Sequence, residues 1–187
     1  MGDLGMAQVE LSRTIRSNGV DTSSSDRTAG FDAAGATEIS RTLNALLADS
    51  FALYLKTKNF HWQVGGPRFR SYQISYRLEF DEHAEQLFEA TDALADRVRD
   101  LGGRKLSLSE VGQLRRVRDN ERPFVQPTDM LVELMDDNKA MTHALQEARD
   151  LCDRHKDAES IQLLETLIDQ AEHRSWFLSA MSRDDEE

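Results

Sequence analysis

One cysteine, Cys152, is all that 187 residues contain, so no disulfide closes within the chain and no cysteine-based zinc site can form. Three prolines and ten glycines are too few to punctuate the many short strands of a sandwich or barrel, which excludes an all-β fold. Long apolar runs are missing as well: stretches such as Ala45-Leu46-Leu47-Ala48 fall far short of membrane-spanning length. No basic segment leads into an apolar run near Met1, so no signal peptide is expected. Nor is there an excess of positive charge. The chain carries 23 Lys and Arg against 34 Asp and Glu, a net of −11, and such a surface repels a phosphate backbone unless its cations gather into an arm. Residues 1–36 are where an arm would sit, yet Arg13, Arg16 and Arg27 face Asp3, Glu10, Asp21, Asp26 and Asp32 there. These absences describe a soluble cytoplasmic chain in a reducing compartment, with no membrane partner and weak or absent contact with DNA.

What is present is helical periodicity. Ile39, Leu43, Leu46, Leu47, Phe51, Tyr54 and Leu55 recur at steps of three and four, which predicts a helix from about Thr37 to Val64. Gly65-Gly66-Pro67 breaks it, and a second pattern runs from about Ser71 to Leu101, where Gly102-Gly103 supplies a stop. A long connection follows, with Ser109 as the expected cap of a short helix through Val117, then Pro123 and Pro127. Two further stripes predict helices from about Thr128 to Arg154 and from about Ala158 to Ser182. Four long helices with short first and last links and one long middle connection fit an all-α up-down bundle with a crossover. The Ser, Thr and Gly content of residues 1–36 reads as a disordered leader, residues 37–183 as the folded domain, and residues 184–187 as a solvated acidic end.

On the second helix, Asp81, Glu85, Glu89, Asp92 and Asp96 fall within an arc of about 80° at 100° per residue. Carboxylate oxygens are hard ligands for iron, manganese, magnesium or calcium. The plainer reading is a solvated acidic face. The di-iron motif of bundle cores is Glu-x-x-His on each of two helices, and none of His61, His83, His143, His155 and His173 has a glutamate three residues before it. An ordinary intrachain di-iron centre is therefore disfavoured. Glu79/His83 and Asp169/His173, each at i, i+4, read more readily as surface salt bridges than as ligand pairs.

The run Lys58-Asn59-Phe60-His61-Trp62-Gln63-Val64-Gly65-Gly66-Pro67-Arg68-Phe69 leads into that acidic stripe. Asp92-Ala93-Leu94-Ala95-Asp96-Arg97 and Leu101-Gly102-Gly103 follow. Together these segments resemble the Dps family, the mini-ferritins also called DNA-binding proteins from starved cells, from about Thr37 through Trp176-Phe177-Leu178. The resemblance implies a ferritin-like four-helix bundle assembled into a homododecameric shell. Such a shell oxidises ferrous iron, preferably with hydrogen peroxide, stores ferric mineral, and shields the cell from oxidative stress. It also implies an iron site across a two-fold interface, with His61 as the first histidine, Asp81 and Asp92 as the aspartates and Asp96 in the place of a glutamate. Histidines of one subunit would face the carboxylates of its neighbour. Trp62 corresponds to a residue placed to give up an electron during oxidation; as an alternative it packs the interface. Acidic pores near the start of the last helix would draw on Asp157, Glu159 and Glu165.

The departure from the family falls on the site. A second histidine is usual twelve residues after the first and four before the first aspartate. Here those positions are Gln73 and Arg77, because about four extra residues lie around Gln73 to Tyr76. Four residues add about 400° and roughly 6 Å to a helix, so the stripe keeps its phase. Arg77, if it points inward, would pair with Asp81 or Asp92. Two other readings stand beside iron oxidation: a shell of the same architecture with an impaired or altered site, and a DNA-compacting stress protein.

Overall fold

The computed structural model describes residues 33–64 and 73–184. Five helices follow in chain order: α1 (Ala33–Val64), α2 (Gln73–Asp100), α3 (Leu108–Leu114), α4 (Pro127–Arg154) and α5 (Ala158–Asp184). Among the described residues there is no strand, and no helix is long and apolar enough to cross a membrane. The leader before Ala33 and residues 185–187 lie outside the described residues.

Side-chain contacts fix the topology. Lys58 near the end of α1 meets Asp81 near the start of α2, while Asn44 Nδ2 donates to the Arg104 carbonyl just past the other end of α2, so the two run antiparallel. Arg174 of α5 reaches Asn138 of α4, and only the turn at His155–Asp157 separates that pair. Because α4 starts beside the end of α1, where Val125 N–H donates to Gln63 Oε1, α2 and α4 run in the same direction. The chain must therefore cross back along about 40 Å of bundle between them. That crossover carries α3 and is pinned halfway by Asp49 of α1, which accepts from the Arg116 guanidinium at 2.7 Å.

Two apolar clusters fill the bundle. One gathers Leu43, Leu47, Leu94, Val98, Leu145 and Leu164; the other gathers Leu53, Phe60, Phe80, Leu87, Leu131 and Leu178 at the α1–α2 corner end. Between them lies a polar layer. Lys56 of α1 is buried against Glu133 and Asp137 of α4, each at 2.6 Å. Arg174, only 3% exposed, donates to Asn138 Oδ1 at 2.8 Å and to Gln86 Oε1 at 3.2 Å. A guanidinium thus fills the mid-height of the bundle where inward glutamates and histidines of an intrachain di-iron centre would converge.

The helix bounds differ from expectation by more than two residues at the start of α1 and at the end of α3, which stops at Leu114 with Arg115 as its C-cap rather than running through Val117. α1 begins at Ala33, a turn before Thr37, because Ala33 and Ala34 favour helix without contributing to the apolar stripe, and the Thr37 hydroxyl bonds back to the Ala33 carbonyl. The cap of α3 is Ser107 rather than Ser109. Glu110 Oε2 accepts from Ser107 N–H at 2.9 Å and from its hydroxyl at 2.6 Å, the closure of a capping box.

Candidate metal site at the α1–α2 corner

Phe60 and Val64 turn into the apolar cluster of the corner end, and their neighbours follow from helical phase. His61, one step of about 100° from Phe60, sits at the seam with α2 and is 8% exposed. Trp62, a further step round, is exposed. Across the seam Phe80 is fully buried, which carries Asp81 to the edge. The result is His61 Nε2 at 3.9 Å from Asp81 Oδ1 in the same chain. The same oxygen accepts a hydrogen bond from Lys58 Nζ at 2.6 Å.

The protonation states suit metal ligation. Burial, then the charge of Lys58, lowers the His61 pKa, so the imidazole is neutral at pH 7. The hydrogen bond from Lys58 holds the Asp81 carboxyl below its usual range. A neutral imidazole beside an anionic carboxylate is the donor pair a ferrous ion takes, and His61 Nδ1 is buried with no hydrogen-bond partner. Among the described residues of one chain, no group of three or more His, Cys, Asp or Glu is placed to hold a metal, and His61 with Asp81 is at most part of a coordination sphere.

Asp92 and Asp96 lie elsewhere. They are 11 and 15 residues beyond Asp81 on α2, about 16 and 22 Å along the axis, and cannot reach His61 of their own chain. Both are exposed, as are Asp81, Glu85 and Glu89, and Asp96 pairs with Arg99 at 3.1 Å. The sequence reading puts Asp81 with Asp92 and Asp96, opposite the histidine of another subunit. Within one chain the structure also brings Asp81 to 3.9 Å from His61. The cation on Asp81 is also different from the one expected: it is Lys58. Arg77 is exposed, and its charge acts on both His61 and Asp81. Gln73 opens α2, and its side chain lies outside the described residues.

A family model described as a ferritin-like domain matches residues 41–187. The DNA protection during starvation protein of Helicobacter pylori (strain J99) is 27% identical over 139 residues, covering 74% of this chain and 94% of that one. The chain belongs to the ferritin-like family, in its Dps branch. Further similarity runs to the low temperature-induced protein all0458 of Nostoc sp., 35% identical over 139 residues, 73% of this chain and 75% of the relative. The crystal structure of the Dps protein from Vibrio cholerae O1 matches with a TM-score of 0.73 at 23% identity, covering 82% of this chain and 94% of that one.

Two other residue sets of this Dps-family chain differ from the sequence reading. Asp157, grouped with Glu159 and Glu165 as a pore carboxylate, is buried; its Oδ1 accepts from Ser160 N–H at the start of α5 and pairs with Arg97, which also holds Glu159. Glu165 is exposed. His83, read as half of a surface pair with Glu79, is buried, because Phe80, His83, Leu87 and Leu94 share the inward face of α2. His173 is exposed and stacks on Trp176.

Proposed function

We propose that the protein is an iron-oxidising, iron-storing mini-ferritin whose reaction site is completed between copies of the chain. His61 and Asp81 come from one copy, Asp92 and Asp96 from another, in a closed homododecamer that encloses the ferric mineral. The observation that carries this reading is the corner itself: a buried neutral histidine whose Nε2 stands 3.9 Å from an anionic carboxylate and whose Nδ1 has no partner, with no third ligand there among the described residues. Ferrous iron is the substrate. Two ferrous ions each give one electron to a hydrogen peroxide molecule, whose O–O bond breaks, and the ferric products hydrolyse into the store. Trp62, exposed beside His61, is positioned to donate an electron or to pack the interface.

Carboxylates retain affinity for ferrous iron when one nitrogen ligand is lost, so Gln73 and Arg77 in the place of a second histidine weaken the site without abolishing it. Contact with DNA is weak at physiological salt, because phosphate binding needs several cations and the chain is strongly acidic. The test is peroxide-dependent ferrous oxidation by the assembled protein. His61→Ala and Asp92→Asn lower the rate by tenfold or more, while Arg77→His raises it. Unchanged rates in the first two would place the chemistry elsewhere, and a stable monomer in light scattering would remove the shell. No iron oxidation by the wild type would favour the altered-site shell.

A further inference from the structure

Asp81 Oδ1 carries two relationships at once. It faces His61 Nε2 at 3.9 Å and accepts from Lys58 Nζ at 2.6 Å. A metal bridging the imidazole and the carboxylate would sit about 2 Å from each, in the space the ammonium shares on that oxygen. Two cations cannot occupy it together. We infer that Lys58 is a resident counter-cation of the corner, which an incoming divalent metal must displace from Asp81 before it is held. This rests on the reading of His61 and Asp81 as ligands.

The geometry allows the exchange. Lys58 lies on α1 three residues before His61, so its stem emerges one turn away on the same side of the helix. Its side chain is 19% exposed and that of Asp81 59%, so the ammonium can swing into water without opening the core. The ion pair is worth at most about 1 kcal/mol at such exposure, small enough for a divalent ion to overcome. An ammonium also blocks the carboxylate against sodium or potassium, which bring no more charge than it has. Swapping a single for a double charge leaves the acidic corner with a net gain of only one.

The test uses the assembled full-length protein and cobalt(II), which reports binding by its visible absorption without being oxidised under the assay conditions. Lys58→Met and Lys58→Gln are expected to bind cobalt about fivefold more tightly than wild type, the factor corresponding to the loss of a pair worth about 1 kcal/mol. Lys58→Arg, which keeps the charge, gains nothing. Equal or weaker binding by both neutral variants overturns the displacement and makes Lys58 a residue that merely orients Asp81. The His61→Ala variant separates the two levels of argument. If it abolishes cobalt binding while the Lys58 variants are unchanged, the site stands and the displacement falls. If His61→Ala binds like wild type, the site reading falls and takes the displacement with it.

Discussion

The two ends of the bundle each hold an aspartate against a basic side chain, and the two pairs are built differently. At the end where α4 turns into α5, Asp157 is buried, its side chain 1% exposed, and Arg97 reaches across from α2 to pair with it at 2.5 Å. Arg97 Nε also donates to Ser160 at 2.8 Å, and Asp157 caps the first turn of α5. At the opposite end Asp81 is mostly in solvent, Lys58 is the cation that hydrogen-bonds it among the described residues, and Nδ1 of the neighbouring His61 has no hydrogen-bond partner. The first pair joins three helices, so its geometry is fixed by packing. The second is a loose contact at the surface beside His61 Nδ1, which has no hydrogen-bond partner, whereas the atom without one at the closed end, Asp157 Oδ2, is enclosed by the packing. A polar cluster tied into the packing serves the fold, and one left incomplete at the surface is where a ligand can add free energy.

The sharpest way to break this comparison is to remove a cation at the closed end. Asp157 Oδ2 already has no hydrogen-bond partner, so Arg97→Ala, by removing the ion pair to Oδ1, leaves the buried carboxylate with the Ser160 N–H as its remaining hydrogen bond among the described residues. The expected loss is about 3–5 kcal/mol, the cost of orphaning a buried charge. Urea unfolding at fixed protein concentration measures it, and a loss under about 1 kcal/mol would show that the closed end is not held by this pair.

Next in size is a dependence on pH. Burial, followed by the charges of Arg174 and His173 on α5, pushes His83 down to about 3 from an ordinary 6.5. Glu79 on its own helix stands at 3.9 Å, and Phe177 of α5 meets the ring edge-on. Above pH 6.5 neither the folded nor the unfolded chain protonates it, and the full stability is present. As pH falls below 6.5 the unfolded chain takes up a proton that the folded one refuses, so stability drops by up to about 1.4 kcal/mol per pH unit toward the folded value. Between pH 6.5 and 5 that is about 2 kcal/mol. In metal-free protein His83→Gln should flatten this slope, and identical slopes in the two proteins would show that other groups set it.

The sequence made the helices legible because their apolar residues repeat with helical spacing, and the corner legible because His61-Trp62 and the acidic stripe stand in fixed phase to that core. What stayed hidden depended on pairings between distant residues. Lys58 beside an acidic helix reads as one more solvated cation until α1 and α2 are placed side by side. Asp157 reads as a surface acid until Arg97, sixty residues earlier, is seen to cover it. His83 was within reach of sequence reasoning: it falls at the same phase as Phe80 and Leu87, a signal obscured by its i, i+4 relation to Glu79. The extra residues also carry a mark, since Ser71-Tyr72-Gln73-Ile74 is nearly repeated by Ser75-Tyr76-Arg77-Leu78. One repeat is close to one helical turn, so Tyr76 still packs inward on Phe80, with ring centroids 5.9 Å apart.

A smaller effect, in the stabilising direction, comes from the helix ends at the closed side. α2 and α4 both finish with the same pair of bonds: Gly103 N–H to the Val98 carbonyl and Gly102 N–H to Arg99, then Asp157 N–H to Cys152 and Lys156 N–H to Asp153. The left-handed position is Gly102 at φ 72° in the first and Lys156 at φ 59° in the second. A side chain there is strained, whereas glycine is not. Lys156→Gly should therefore stabilise by about 0.5–1 kcal/mol after the greater freedom of glycine in the unfolded chain is subtracted. A loss of stability in thermal melts would mean that the Lys156 side chain contributes more than its backbone costs.

The smallest expected effect sharpens the comparison most. Asp81→Asn removes the charge that Lys58 holds, yet the side chain is 59% exposed and its pairing spans only α1 and α2. An exposed pair contributes at most about 1 kcal/mol, and a surface substitution of this kind typically changes stability by less than about 0.5 kcal/mol. The same substitution takes the anionic oxygen from the corner, so cobalt binding should fall by tenfold or more while the unfolding midpoint barely moves. Arg97→Ala should do the reverse, lowering the midpoint while the cobalt affinity of the protein that remains folded is kept, since Arg97 is 16 residues from Asp81, about 24 Å along α2. If Asp81→Asn unfolds the protein as readily as Arg97→Ala, the corner pair is part of the scaffold, and the distinction between a closed end and an end that awaits a ligand is lost.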